Sequence, residues 1–470
     1  MLEDLSDEFK DADLKDKRRN ERLMTAAQTL GNAPDASISA ASGGWAELNA
    51  IYRLFNSKAV KPEALLAPHR KKTIARCAQF PCISVSQDTT ELDFTHLKST
   101  TGLGPLNSLT RRGFHLHSLY VGSEQGLPLG LLSSEVMMRD DETFGNASKC
   151  KTLPIEEKES YRWLQGYRET QKLAEALPDC EVFSTSDREG DIHEVFNAWQ
   201  DITQGPRAEW IIRAKENRVL NRVIEGEPDK LFTALASAPI LGGIEFEINA
   251  RQSTKKVKGS TIKTSRKARR VSQIIRAMKV TPRPPRRPGI KLKEVSFWAI
   301  LAEEPKPPEG EEPVRWLLLT SKKVTTLKEA QRIINLYLRR WDIEVFHKVL
   351  KNGCNIEKMQ LKTADGLINA LMIYTVIAWR ILYFTHLGRQ CPELPCGSIF
   401  GEAEWKSACA VVKRDKAASE PSLSEFIGII GKLGGHLGRK SDGPPGPQQV
   451  WQGLARVRDF AMAWKAYEDD

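Results

Sequence analysis

Over the first 65 or so residues apolar positions recur at helical spacing, first around "KDKRRNERL" (Lys15 to Leu23) and again in "WAELNAIYRLF" (Trp45 to Phe55), with the Ser/Gly stretch "SISAASGG" between them. The period then changes to two. In "CISVSQDTTELDF" Ile83 and Val85 alternate with serines, which predicts a strand that ends in Asp88 and is followed by Thr89 and Thr90. Further strands are predicted in "FHLHSLYVG" and "LPLGLLSSEVM", and a helix in "YRWLQGYRETQKLAEAL". The strand "CEVFSTSD" ends in Asp187 and runs into "REGDIHEVFNAW", a helix with Glu189 and Asp191 at its N-terminus. "AEWIIRAKEN" reads as a strand that places Arg213 and Lys215 at its end on one face.

From about Gly242, "IEFEINA", "ARRVSQIIRAMKV" and "IKLKEVSFWAILAEE" read as β segments joined by basic, Pro-rich turns, an inserted β region. "VRWLLLTS" has the unbroken apolar run of a buried strand and leads into a long helix, "LKEAQRIINLYLRRWDIEVFHKVLK". The remainder is helical and then Gly/Pro-rich at "GGHLGRKSDGPPGPQQ". The most apolar stretch, Leu367 to Phe384, carries Asn369 and Arg380, which favours a buried helix over a membrane span.

Length and charge sharpen this picture. A chain of 470 residues, 40% hydrophobic, has room for several domains around a substantial core. Its formal charge of +10 is modest, but Arg251 to Lys293 holds 16 Lys or Arg and no acid, as a surface facing a polyanion would. The N-terminus "MLEDLSDEFKDADLK" is acidic and has no apolar signal core, so a cytoplasmic location is expected. Eight scattered cysteines fit reduced thiols, and the close pair in "CPELPC" has no second Cys or His pair at zinc-finger spacing.

Candidate chemistry centres on acids. On one straight helix, Tyr337, Arg340, Glu344, Lys348 and Lys351 would fall in a stripe of roughly 80°, with His347 beside it. The plain reading is a surface helix with two ion pairs, Arg340 to Glu344 and Glu344 to Lys348, each worth about 0.3–0.5 kcal/mol. Asp88 has an equally plain reading as a turn former with Thr89, and Asp187 as a helix cap. Together, three acids that close strands or follow them can supply the oxygen ligands two hard divalent cations need for in-line phosphoryl transfer. Glu91, Asp93, Glu189 and Asp191 compete for that role. Lys17, Arg18, Arg19 and Arg22 could grip phosphates or form a solvated helix face.

"QDTT", "DREGDIH" and "YLRRWDIEVFHKVLK" resemble the three signature regions of bacterial DDE cut-and-paste transposases, most nearly those of the insertion-sequence-four family. The last follows the pattern Y-x2-R-x3-E-x6-K through Tyr337, Arg340, Glu344 and Lys351, and "RGFHLHS", "IIRAK", "RWLLLTS" and "KLGGH" are similar to family segments in the same order. The resemblance implies an α/β, ribonuclease-H-like catalytic core at 66–385 with a β insertion at about 236–313. A helical transposon-end-binding domain would occupy 1–65 and a helical dimerisation domain 386–470.

By the same resemblance Asp88, Asp187 and Glu344 are the catalytic, metal-binding triad, expected to hold two Mg²⁺ ions for which Mn²⁺ can substitute. Tyr337, Arg340, His347, Lys348 and Lys351 would contact phosphates, as would Arg213 and Lys215, while Trp316 would stack a flipped base in a hairpin pathway. The expected partners are double-stranded DNA, as transposon ends and as target, and a second copy of the chain, with no membrane. Rival readings are a non-catalytic regulator that blocks transposon ends and a stand-alone nuclease of the same fold. Asp342 and Val345 depart from the family's charges beside Glu344, and "DGPPGPQQ" departs from its C-terminal pattern.

Overall fold

The structure is a computed structural model that describes residues 5–142, 144–145, 153–221, 229–257, 260–287, 289–414, 419–439 and 442–468, with the backbone alone for 251–266 and 468. The chain divides into two compact units, Met1–Lys149 with Ala176–Glu181 and Arg339–Asp470, and Cys150–Glu175 with Val182–Leu338.

The first unit begins with a 3-10 turn, Leu5–Phe9, and four helices: α1 (Lys17–Asn32), α2 (Ile38–Ala41), α3 (Trp45–Phe55) and α4 (Pro62–Cys77). The Asp16 side chain starts α1 by accepting the Arg19 N–H, and Leu23, Ala26, Ala27 and Leu30 form its buried face. Four strands follow: β1 (Cys82–Asp93), the short β2 (Gly104–Pro105), β3 (Arg112–Ser123) and β4 (Pro128–Met137). β3 lies antiparallel to both β1 and β4.

β4 is the edge of this antiparallel set, and its outer backbone groups are met by side chains. The Leu131 N–H donates to His69 Nε2 at 3.0 Å, Arg76 Nε donates to the Leu129 carbonyl at 2.6 Å, and a tryptophan of the later helix α10 (Ala364–Gln390), Trp379, donates to the Pro128 carbonyl at 3.2 Å. Such capping removes a template for further strand pairing. The approach of α4 is close: a Cβ at Gly130 would lie 1.9 Å from Thr73 Oγ1. Glu8, from the N-terminal 3-10 turn, completes the cluster by accepting from His69 Nδ1 at 2.6 Å and Arg76 Nη1 at 2.7 Å. Because Nε2 accepts the Leu131 N–H, His69 is neutral with its proton on Nδ1, in line with burial pulling its pKa down. Burial would raise the Glu8 pKa, but the hydrogen bond from neutral His69 and the charge and hydrogen bonds of Arg76 outweigh it and bring it to about 2.

The second unit contains α5 (Tyr161–Ala176), β5 (Glu181–Ser186), a 3-10 turn at Arg188–Gly190, α6 (His193–Asp201), β6 (Glu209–Arg213) and α7 (Leu231–Ala236). β7 (Ile240–Ile248), β8 (Arg251–Val257), β9 (Ser260–Arg266), β10 (Arg269–Val280), β11 (Phe297–Glu303), β12 (Arg315–Thr320) and α8 (Leu327–Leu338) follow. β5 and β6 are parallel, and β6, β12, β11, β10 and β7 continue as antiparallel neighbours, with β8 and β9 a separate hairpin. Phe196, Trp210 and Phe297 pack with ring centroids 4.7–5.3 Å apart at its centre. Of the basic run from Arg251 to Lys293, residues 258–259 and 288 lie outside the described residues, as do the side chains of 251–266.

The chain returns to the first unit with α9 (Trp341–Lys348) and a π-helical turn at Val349–Gly353, in which the Cys354 N–H reaches the Val349 carbonyl at 2.9 Å. α10 follows, apolar all round and buried over most of its 27 residues, as expected for an internal helix. α11 (Glu402–Val411), α12 (Leu423–Leu433) and α13 (Pro447–Glu468) end the chain. α12 and α13 approach so closely that a Cβ at Gly453 would stand 1.9 Å from the Ile430 carbonyl oxygen. Gly453→Ala is therefore expected to destabilise this region by about 1–3 kcal/mol, read as a lower melting temperature of the full chain. An unchanged melt would mean the helices part without cost.

Several sequence expectations change, among them the start of α6, which begins at His193 so that Glu189 and Asp191 lie in and just after a separate 3-10 turn. β1 does not end at Asp88 but runs five residues further, to Asp93, because β3 is long enough to pair with it throughout. β6 ends at Arg213, so Lys215 lies in the loop beyond it. The helix expected across Tyr337 to Lys351 is interrupted at both ends. At Arg339 and Arg340 the carbonyls accept from residues three ahead, Asp342 at 2.9 Å and Ile343 at 3.3 Å, so α8 stops at Leu338 and α9 starts afresh.

Candidate active site

Asp88 lies in β1, opposite Ser118 of β3, where the strand passes from fully buried to half-buried positions. Its Oδ1 accepts the Thr89 N–H at 2.8 Å, the local bond its sequence suggested. α9 sits over this point of the sheet. His347 Nδ1 is 3.9 Å from Asp88 Oδ2 and His347 Nε2 is 3.4 Å from Ser118 Oγ, so one imidazole spans the Asp88/Ser118 register pair. Burial, with the Lys351 charge in support, lowers the His347 pKa to about 3. The imidazole is neutral at physiological pH and leaves the Asp88 charge intact.

Glu344 stands one helical turn before His347, and its Oε1 accepts from Arg340 Nη2 at 2.5 Å. The first of the two ion pairs in the plain reading therefore forms, with the guanidinium buried and the carboxylate about one-third exposed. Lys348 is exposed and makes no ion pair among the described residues. Lys351, carried on the π-helical turn, is 3.6 Å from Glu357, which also accepts the Asp93 N–H at 2.9 Å. Asp342 is two residues from Glu344 and so on another side of the helix, where burial raises its pKa to about 6 against the opposing charge of Arg339. Trp341 is a further candidate that the spacing of the acids and cations does not single out. It is 48% exposed, on the same side of α9 as Glu344 and Lys348, with the Arg340 guanidinium 5.4 Å from its ring. An aromatic three residues before a candidate ligand was the signal available.

In the second unit Asp187 follows β5 directly and its Oδ1 caps the 3-10 turn by accepting the Glu189 N–H at 2.8 Å. Arg213 ends β6 opposite Leu318, and Lys215 is exposed in the following loop. Trp316 of β12 is half-buried and stacks on Phe246 with centroids 6.1 Å apart and planes 15° from parallel. Tyr337 is 3% exposed at the end of α8. In the N-terminal helices, Lys17 and Arg18 are exposed, while Arg19 and Arg22 are half-buried. Lys17 lies 3.9 Å from Glu21, and Arg19 donates to the Leu14 carbonyl at 3.2 Å.

The competing acids are each held by an arginine. Arg111 pairs with Glu91 at 3.2 Å and with Asp93 at 3.0 Å, Arg162 with Glu189 at 2.8 Å, and Arg218 with Asp191 at 2.7 Å. His115 and His117, neighbours on one face of β3, are similarly occupied, with Glu91 at 3.8 Å and Thr89 Oγ1 at 2.9 Å. Among the described residues no three His, Cys, Asp or Glu side chains converge closely enough to hold a metal ion between them. The carboxylate oxygens of Asp88 and Glu344 would suit a hard divalent cation, which would compete with Arg340 for Glu344, and Asp187 offers the same donor type in the second unit.

Three family models match the chain in order. The model described as Transposase DNA-binding matches residues 3–60, Transposase DDE domain matches 198–380, and Transposase Tn5 dimerisation domain matches 376–467. The DDE match includes Glu344 and begins after Asp88 and Asp187, so those two aspartates rest on their motifs and on the geometry above. Among solved structures, a piggyBac transposase synaptic complex with hairpin DNA, determined by cryo-EM, aligns at 11% identity over 80% of this chain and 71% of that one. Its TM-score of 0.30 is too low to bear on the fold. A transposase DNA-binding, a DDE and a dimerisation match in this order, on a mixed α/β chain with helical N- and C-terminal regions, make this protein a DNA transposase with a ribonuclease-H-like core, a member of the Tn5-like DDE family.

Proposed function

We propose that the protein binds the terminal inverted repeats of its own element, cleaves there by metal-dependent hydrolysis and joins the freed 3′ ends to target DNA as a homodimer bridging two ends. The observation that carries this is the seating of α9 on β1, which brings the helix of Glu344 onto the strand of Asp88 through His347 at 3.9 Å, within a chain that matches transposase DNA-binding and dimerisation families on either side. Residues 1–65, 66–385 and 386–470 would be the end-binding, catalytic and dimerisation parts.

Asp88, Glu344 and Asp187 would hold Mg²⁺, or Mn²⁺ in its place. Bound there, two such ions supply an activated water or 3′-hydroxyl and stabilise the leaving oxygen. The protein's own groups do the rest. Exposed Lys348 and half-buried Lys351 draw phosphates toward Glu344, and neutral His347 fills the space beside Asp88 without competing for its charge. Arg340 orients Glu344 in the DNA-free chain and, with Tyr337, meets phosphate once DNA is engaged. Arg213 and Lys215 contact the strand on the Asp187 side, while Trp316 and Trp341 offer aromatic faces to displaced bases. Lys17, Arg18, Arg19 and Arg22 hold the terminal repeat through its phosphates. Water opens the end to leave a 3′-hydroxyl, which attacks the opposite strand to give a hairpin; reopening the hairpin frees the same hydroxyl for target attack. No covalent protein–DNA bond is formed.

The test is incubation of purified protein and Mg²⁺ with a plasmid carrying the repeats that flank its coding region. Double-strand release of the element and a hairpin intermediate are expected. End binding without cleavage would favour the regulator reading, and cleavage indifferent to the repeats would favour a nuclease.

A further inference from the structure

Asp191 is buried, its side chain fully shielded from solvent, three residues beyond the start of the turn that Asp187 caps. A buried carboxylate needs several partners to persist, and this one has them. Its Oδ2 accepts the backbone N–H of Lys215 at 2.8 Å and of Glu216 at 3.1 Å, together with Arg218 Nη1 at 2.8 Å. Arg218 Nη2 lies 2.7 Å from Oδ1 and donates to the Asp191 carbonyl at 3.0 Å, and the guanidinium rests 5.3 Å from the Phe196 ring. One carboxylate thus takes up two successive backbone donors and the side chain of the loop that leaves β6.

The distance from Asp191 to Asp187 is fixed by a tight turn. Gly190 packs against Ser186, where a Cβ would come within 2.2 Å of Oγ, and the Ile192 N–H folds back to the Gly190 carbonyl at 2.8 Å. The loop is anchored at its start by the Ala214 N–H on the Leu317 carbonyl at 2.9 Å and beyond Lys215 by the Leu231 N–H on the Arg218 carbonyl at 2.9 Å. The backbone of Lys215 is held from behind while its side chain faces solvent. Without the carboxylate, two N–H groups and the Arg218 guanidinium lose their shared acceptor, and the bond from Arg218 to the Asp191 carbonyl is the loop's remaining link to the Asp187 turn among the contacts described.

We infer that Asp191 is a positioning residue for DNA binding, setting Lys215 at a fixed place relative to Asp187 so that its ammonium meets a phosphate of the strand to be cut. This rests on the phosphate role proposed for Lys215. A cation held in register contributes a full phosphate contact, whereas one on a loose loop is only part of a diffuse charge, and the salt dependence of binding separates the two cases.

The experiment measures affinity for a duplex of the element's terminal repeat as a function of KCl, by gel shift, for the full chain. Lys215→Gln is expected to reduce the slope of log affinity against log salt by about one. Asp191→Ala, and the paired Asp191→Ala/Arg218→Met that removes both charges together, are expected to reduce it by the same amount and to add nothing further when combined with Lys215→Gln. Thermal melting of each variant keeps the comparison to folded protein; the paired change avoids leaving a buried guanidinium alone. A wild-type slope in both Asp191 variants overturns the inference, as does a loss that adds to that of Lys215→Gln or a Lys215→Gln slope equal to wild type. Failure of the wild-type chain to prefer the repeat over unrelated DNA would instead remove the end-binding reading itself.

Discussion

Asp88→Asn, Asp187→Asn and Glu344→Gln should each lower end cleavage on the order of 10³-fold or more while leaving affinity for the terminal repeat within about threefold. These substitutions keep the local bonds and remove the charge. An Asn at position 88 still accepts the Thr89 N–H, one at position 187 still accepts the Glu189 N–H, and a Gln at position 344 still accepts from Arg340. Folding and chemistry are thereby separated, and the alanine variants should be no less inactive. Chelation of divalent ions should have the same signature in the wild-type chain, with cleavage lost and end binding kept, and Mn²⁺ should restore cleavage. Cleavage within tenfold of wild type in any of the three isosteric variants would remove that residue from the proposed site. Loss of binding in parallel with cleavage would make it a structural residue.

The second large effect concerns the Glu8 cluster. Glu8→Ala should cost about 3 kcal/mol, because it leaves buried His69 and half-buried Arg76 without the acceptor they share. The pH dependence has a definite sign. The folded-state pKa of Glu8, about 2, lies below its ordinary 4.5, so its contribution is complete above pH 4.5 and is lost as pH falls toward 2. A drop of that size corresponds to roughly 3 kcal/mol. His69 acts in the same direction: its folded-state pKa is also depressed, so below its ordinary 6.5 the unfolded chain takes up a proton that the folded chain refuses. Stability should decline from about pH 6.5 downward, with the steepest part below 4.5, and Glu8→Gln should flatten that steepest part. Urea unfolding between pH 3.5 and 8 would check this, and parallel curves for wild type and Glu8→Gln would sink it.

The three acids and the cations beside them could be nominated from sequence because each sits in a short motif whose residue types are set by chemistry. Their surroundings were less so. The break at Arg339 and Arg340 has no glycine or proline to announce it, and it separates Tyr337 from the helix of Glu344 that spacing alone would make continuous. The π-helical turn carrying Lys351 was hidden for the same reason, since a widened turn has no composition of its own. That β1 continues past Asp88 depends on the length of its partner strand, which local alternation cannot reveal. Local patterning did locate most of the strands, though not β2 or the β8–β9 hairpin, and the all-round apolar run did identify α10 as an interior helix. Asp191 was one of several acids near Asp187 in the sequence. Its use emerges only when the loop 24 residues further on folds back to it.

The capped edge of β4 has a bearing on how the chain is made. His69 precedes Leu131 by 62 residues, so α4 has already left the ribosome when the strand emerges, and two of the three backbone groups can be covered at once. Trp379, which covers the third, lies 251 residues after Pro128. At ordinary rates of translation that gap is roughly 12–50 s, an interval in which one end of the strand is open to any other extended segment nearby. The helix that will catch the strand is thus synthesised before it, and the nascent chain is most exposed to mispairing between the completion of β4 and the arrival of α10.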